Sequence, residues 1–142
     1  MGTKNIVYFN QNKSTNETIR ILDYGYHETI QGHYSAQTVI DHYVLHCIVR
    51  GKGTYQIHGQ TYRLEAGDCF LLVPHVPISY QSDLHDPWVY YWVGFDGIDA
   101  VPLMQLCNIS TGTPILHYGP TEELAELIRP LTIPKTVAVS DS

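Results

Sequence analysis

Eight histidines stand in this 142-residue chain beside fourteen acidic residues, so metal chemistry is the first possibility to weigh. A metal needs imidazoles and carboxylates that converge. His42 and His46 are separated by three residues, and no Glu lies between Glu28 and Glu65. That spacing predicts no metal centre. His58 and His85 fall at turns and are expected in solvent. His46 is different. It lies mid-strand in the apolar run YVLHCIVR, where a histidine is either hydrogen-bonded core or a polar group facing a pocket. Nucleophilic catalysis has no signature either: there is no G-x-S-x-G and no glycine-rich loop leading into a helix. The sequence names no catalytic residue and no cofactor.

A second constellation is WVYYWVGF, residues 88–95, in which five of eight residues are aromatic. Side chains of a strand alternate between two faces. Trp88, Tyr90 and Trp92 therefore share one face. Val89, Tyr91, Val93 and Phe95 share the other, which is expected to be ordinary core. The first face is large and flat, and each member carries a polar handle. Composition alone would make it core filling as readily as a binding surface.

The elements that must position these groups read as β structure from about residue 19 to residue 95. Strands are expected at Ile19–Tyr26, Tyr43–Arg50, Thr54–His58, Thr61–Leu64, Cys69–Val73, Ile78–Gln81 and along WVYYWVGF. Glycine turns join several of them, the pattern of a sandwich or small barrel. Ile98–Cys107 is weakly helical, and 113–118 is one further strand. Thr121 is a good N-cap, and Leu124, Leu127, Ile128 and Leu131 line one face of a helix that Pro130 limits. Residues 1–18 are polar and read as an N-terminal arm that docks through Ile6–Phe9. Ser140-Asp141-Ser142 reads as a helix N-cap.

Length predicts one domain, able to bury roughly 68–70% of its unfolded surface without a metal or disulfide. The formal charge is −6, and no cluster of basic residues exists. Phosphate neutralisation requires such a patch, so this stretch alone is a poor DNA binder. Cys47, Cys69 and Cys107 are odd in number and lack metal spacing, consistent with buried thiols in a reducing compartment. No apolar run approaches the ~20 residues of a membrane span, and no secretory leader is visible. A cytoplasmic location is expected.

The run from His42 to Gly97 resembles the N-terminal effector-binding and dimerisation domain of AraC-family transcription regulators, in the branch controlling raffinose and multiple-sugar use. The matching pieces are DHYVLHCIVRGKG (41–53), LEAGDCFLLVP (64–74), VPISYQSD (76–83) and DPWVYYWVGFDG (86–97), with GYHETIQGH (25–33) as a weaker match. The resemblance implies a mainly β, cupin-like jelly-roll barrel over 19–118, with one or two short C-terminal helices. Residues 119–142 would hold the C-terminal helix and the start of a linker. It implies no metal. Metal-binding cupins use a P-x-G bend and a later His, and Val73, His75 and Ile78 occupy those places here. A cupin-type metalloenzyme, an isomerase or dioxygenase, is the alternative reading.

In the family's arabinose-binding members a sugar stacks on a Trp and meets a Tyr, a His, an Arg and a Thr. Tyr80 matches that Tyr and Trp92 that Trp, while Tyr90 stands where the His would be. With His46 from the apolar strand and Tyr24 added, the expected ligand set is Tyr80, Trp92, Tyr90, His46 and Tyr24. The Arg has no counterpart near 36–40, and Arg20 and Arg50 are the nearest candidates. A Trp face covers the apolar C–H side of a sugar ring, and phenol and imidazole groups bind its hydroxyl rim. The family further implies a homodimer in the full-length protein, with DNA read by a C-terminal helix-turn-helix domain outside this chain.

Overall fold

The computed structural model describes residues 4–9, 19–117 and 137–141. Two antiparallel sheets face each other. The larger is built from β1 (Lys4–Phe9), β2 (Arg20–Glu28), β4 (Tyr43–Arg50), β7 (Asp68–Leu72), β9 (Val89–Asp96), β10 (Ile115–His117) and β11 (Val137–Asp141), in the order β10-β7-β4-β9-β2-β1-β11. The smaller holds β3 (Tyr34–Thr38), β5 (Lys52–Ile57), β6 (Gln60–Glu65) and β8 (Ile78–Ser82), in the order β3-β8-β5-β6. One helix, α1 (Ala100–Leu106), follows β9. The architecture is mainly β and cupin-like, although the two sheets do not close into one continuous barrel.

Strand positions follow the sequence closely in the middle of the chain. YVLHCIVR is β4 from Tyr43 to Arg50, as its β-branched, apolar composition predicts. Every residue of β7 is buried, because it lies between β4 and β10. Three segments differ from expectation. Lys4–Phe9, the patch through which the arm was expected to dock, does so as a regular strand, β1, paired along β2 from Lys4↔Glu28 to Phe9↔Asp23. The segment ending in Ser140-Asp141 continues no helix; it is strand β11, paired with β1. Tyr34–Thr38 is a strand that the sequence did not announce, since four of its five residues are exposed and it sits at a sheet edge. The expected helix at 121–131 lies outside the described residues.

Trp88 anchors the core. It is fully buried and stacks on Phe70 at 5.2 Å between ring centroids. Its backbone is pinned on both sides: its N–H donates to Ser82 Oγ at 2.9 Å, and its carbonyl accepts from Thr29 Oγ1 at 2.6 Å. The indole lies over Gly53, where an added Cβ would meet its ring at 2.6 Å. Only glycine lets β5 pass this close.

Candidate ligand-binding site

Strand alternation decides what points between the sheets. Trp88, just before β9, and Tyr90, Trp92 and Gly94 on it point inward; Tyr91 and Phe95 point outward, against Tyr26 and Tyr43. The expectation for the two faces of WVYYWVGF is therefore partly reversed. The aromatic face supplies the deepest core residues, Trp88 and Tyr90. Of the presumed core set, Tyr91, Val93 and Phe95 are only half-buried.

Beyond Trp88 the space between the sheets opens into a cavity of about 430 Å³, within the roughly 300–1,000 Å³ typical of small-molecule pockets. Its wall brings together Tyr80, Tyr90, Trp92 and His46 from three strands. Trp92 lies in register with His46 on one side and Gly25 on the other. Gly25 carries no side chain to cover the indole. His46 packs face to face on Phe70, with centroids 4.7 Å apart, and edge-on against Tyr90 at 4.5 Å. Tyr24, the remaining expected ligand residue, does not line the cavity. On β2 the inward parity belongs to Asp23, Gly25 and His27, which turns Tyr24 to the outer face.

A polar relay runs across the cavity wall. His27 Nδ1 and the Tyr90 hydroxyl share a hydrogen bond of 3.0 Å. The Tyr80 hydroxyl stands beside those of Tyr90 and Ser35 and acts on the Tyr90 phenol. Burial pushes both phenols up from their ordinary value, so they stay protonated. Burial also drives the imidazoles down, His27 to about 4 and His46 to about 3, with smaller charge effects between them. Both are neutral at pH 7, each with one donor and one acceptor nitrogen.

Four inward polar atoms lack partners: Trp88 Nε1 in the core and three on cavity residues. Asp23 Oδ1, His27 Nε2 and His46 Nδ1 are inaccessible and form no hydrogen bond, and all three residues line this cavity. A buried polar group left unpaired costs about 1–3 kcal/mol. Three together, beside an indole, mark a place prepared for a ligand that brings both hydroxyls and an apolar face. A larger groove of about 790 Å³ lies on the outer face of the smaller sheet. Its polar side chains satisfy one another, as in Ser79 Oγ to Gln56 Oε1 at 3.0 Å, so it makes no comparable demand.

The sequence missed Asp23, His27, His33 and His42 as cavity residues. It also proposed Arg20 and Arg50 as replacement clamps. Arg20 is instead tied to Asp96 by two hydrogen bonds of 2.7 and 2.8 Å at the surface. Arg50 is exposed at the far end of β4. Neither reaches the cavity.

The domain model for AraC-like ligand binding domains matches residues 23–132. The chain belongs to that family. Among curated relatives it is 38% identical over 85 residues to the lactose operon transcription activator of Staphylococcus xylosus, covering 60% of this chain and 30% of that protein. It is 36% identical over 101 residues to the Msm operon regulatory protein of Streptococcus mutans, covering 71% and 36%. It is 39% identical over 113 residues to the raffinose operon transcriptional regulatory protein of Pediococcus pentosaceus, covering 73% and 39%. The chain spans about a third of the length of these relatives. Among solved structures, YhaK from Escherichia coli superposes with a TM-score of 0.55 at 16% identity, over 64% of this chain and 44% of that one. A cupin 2 conserved barrel domain protein from Rhodopseudomonas palustris gives 0.51 at 18%, over 65% and 59%. These two establish the cupin fold of this family member and nothing finer.

Among the described residues no three His, Cys, Asp or Glu side chains are grouped to hold a metal ion. Treatment with EDTA is accordingly expected to leave the melting temperature unchanged. A fall of several degrees, restored by one added metal, would overturn this. No helix among the described residues is long and apolar enough to cross a membrane.

Proposed function

We propose that this chain is the sugar-sensing, non-catalytic effector-binding and dimerisation domain of a bacterial AraC-type regulator of carbohydrate-utilisation genes, acting in the cytoplasm. DNA would be read by a helix-turn-helix domain outside this chain. The observation that carries the reading is the cavity in which Trp92 offers a flat apolar face beside unpartnered nitrogens of His27 and His46. A pyranose meets both demands at once: its C–H face covers the indole and its hydroxyls complete the imidazoles. The names of the curated relatives, all sugar-operon regulators, favour this over a cupin-type isomerase or dioxygenase.

A thermal-shift screen of mono- and oligosaccharides, including lactose and raffinose, tests it. A cognate sugar raises the melting temperature by mass action and changes tryptophan fluorescence, since Trp92 lines the cavity. The sugar is recovered unaltered. If no sugar in the panel does either, or if one is chemically converted, the proposal fails.

A further inference from the structure

The cavity is charged on one side only. Asp23 is the single carboxylate among its lining residues, and neither a Lys nor an Arg is among them. Burial lowers the proton affinity of His27, His33 and His46, which leaves them without charge at pH 7. His42 is engaged by a carboxylate, its Nδ1 bonded to Asp41 Oδ1 at 2.8 Å, and its presence favours the ionised form of Asp23. It stands between that carboxylate and Asp23, and Asp96 also acts on it.

The seat of Asp23 is built for it. Asp23 lies in register with Gly94 at an irregularity in the β2–β9 ladder. A Cβ on Gly94 would fall 2.3 Å from Asp23 Oδ1 and 3.2 Å from His42 Nε2. The missing side chain on β9 is what admits the carboxylate and the imidazole together. Oδ1 is inaccessible and has no hydrogen-bond partner. A carboxylate oxygen buried without a partner costs stability in the free protein, and local conflicts of this kind are expected where function requires them.

We propose that Asp23, seated over Gly94, orients the ligand and selects it by charge: it accepts hydrogen bonds from hydroxyl or ammonium donors on a sugar ring and excludes phosphorylated sugars. The inference rests on the sugar-binding reading above and adds the ligand's charge class. A carboxylate accepts strong, charge-assisted bonds from such donors. A phosphate brought against it meets like charge in a cavity lined by neither Lys nor Arg, and such juxtaposition is heavily penalised.

Titration calorimetry with galactose, galactose 6-phosphate and galactosamine tests it, because the three share one ring and differ in charge. The parent protein is expected to bind galactosamine at least as well as galactose, and the phosphate at least roughly 30-fold more weakly. Asp23→Asn keeps the size and removes the charge. It should weaken galactose roughly tenfold, abolish any preference for the amine and narrow the gap to the phosphate. It should also raise the melting temperature of the free protein, the opposite sign from its effect on binding. Gly94→Ala displaces the carboxylate without changing its charge, and should weaken galactose in protein shown to be folded by circular dichroism. If the parent binds galactose and its phosphate within threefold of each other, or Asp23→Asn leaves the phosphate gap intact, charge selection is wrong and sugar binding survives. If neither these ligands nor lactose nor raffinose bind, the sugar reading fails and this inference with it.

Discussion

Between pH 7 and pH 5 the free domain is expected to lose about 2 kcal/mol of stability through His46 alone. In the fold this imidazole is held to about 3, mainly because it is buried against Phe70 and Tyr90. In the unfolded chain it titrates at its ordinary value of 6.5. The unfolded state therefore takes up a proton that the folded state refuses. The contribution is complete above 6.5 and is lost progressively as pH falls towards 3. His27 acts in the same direction, and its smaller burial makes its share smaller. The carboxylates that the fold depresses, Asp41, Asp83 and Asp96, begin to take up protons only at lower pH. Burial raises the Asp23 carboxyl, which acts in the opposite sense, so comparison with a His46 variant is what isolates the imidazole. Urea unfolding at pH 7 and pH 5, on the parent and on His46→Gln, checks the prediction. The variant should show a pH difference smaller by about 2 kcal/mol. An undiminished difference would mean that His46 is accessible and protonated in the fold. A bound sugar that pairs Nδ1 should raise stability equally at pH 7 and pH 5, because the folded ring is neutral and keeps its acceptor at both.

His46 was legible because it interrupts an apolar strand, a position where a polar group needs a reason. Tyr80, Tyr90 and Trp92 were legible from the family resemblance joined to strand alternation. Asp23 and His27 were not, although the same alternation governs them. Within RILDYGYHE, Leu22, Tyr24 and Tyr26 lie on one parity and Asp23, Gly25 and His27 on the other, which reads as a strand with the second face in solvent. Here that second face points between the sheets, an inversion natural to a cavity meant for a polar ligand. Tyr24 lies on the opposite parity and does not line the cavity. The pairing of β1 with β11 could not be read locally. It joins the two ends of the chain, Lys4 to Asp141, and contacts that distant leave no periodic trace in either segment. The seat for Asp23 over Gly94 is likewise a property of two strands in register, not of either alone.

Trp88 and Trp92 stand four residues apart on one face of β9, and their replacement by alanine should have opposite consequences. Trp88 is fully buried, stacked on Phe70 and fitted over Gly53. Trp88→Ala leaves a void that rigid strands cannot close, and should cost about 3–5 kcal/mol of fold stability. Trp92 is only half-buried and borders open space, so Trp92→Ala should cost less stability. It removes the surface on which a sugar would stack, and should weaken binding by about 2 kcal/mol, roughly thirtyfold in dissociation constant. Tyr80→Phe deletes one hydroxyl from the relay and should cost about 1 kcal/mol of binding, more if it strands a sugar hydroxyl. Denaturation and sugar titration on the same folded preparations separate the two tryptophans. Should Trp92→Ala and Tyr80→Phe bind a cognate sugar as tightly as the parent, the aromatic face of β9 is core throughout and the ligand lies elsewhere. Should Trp88→Ala fold with parental stability, the opposite error has been made, because the indole over Gly53 would not be the anchor that its burial and its two pinned backbone groups make it.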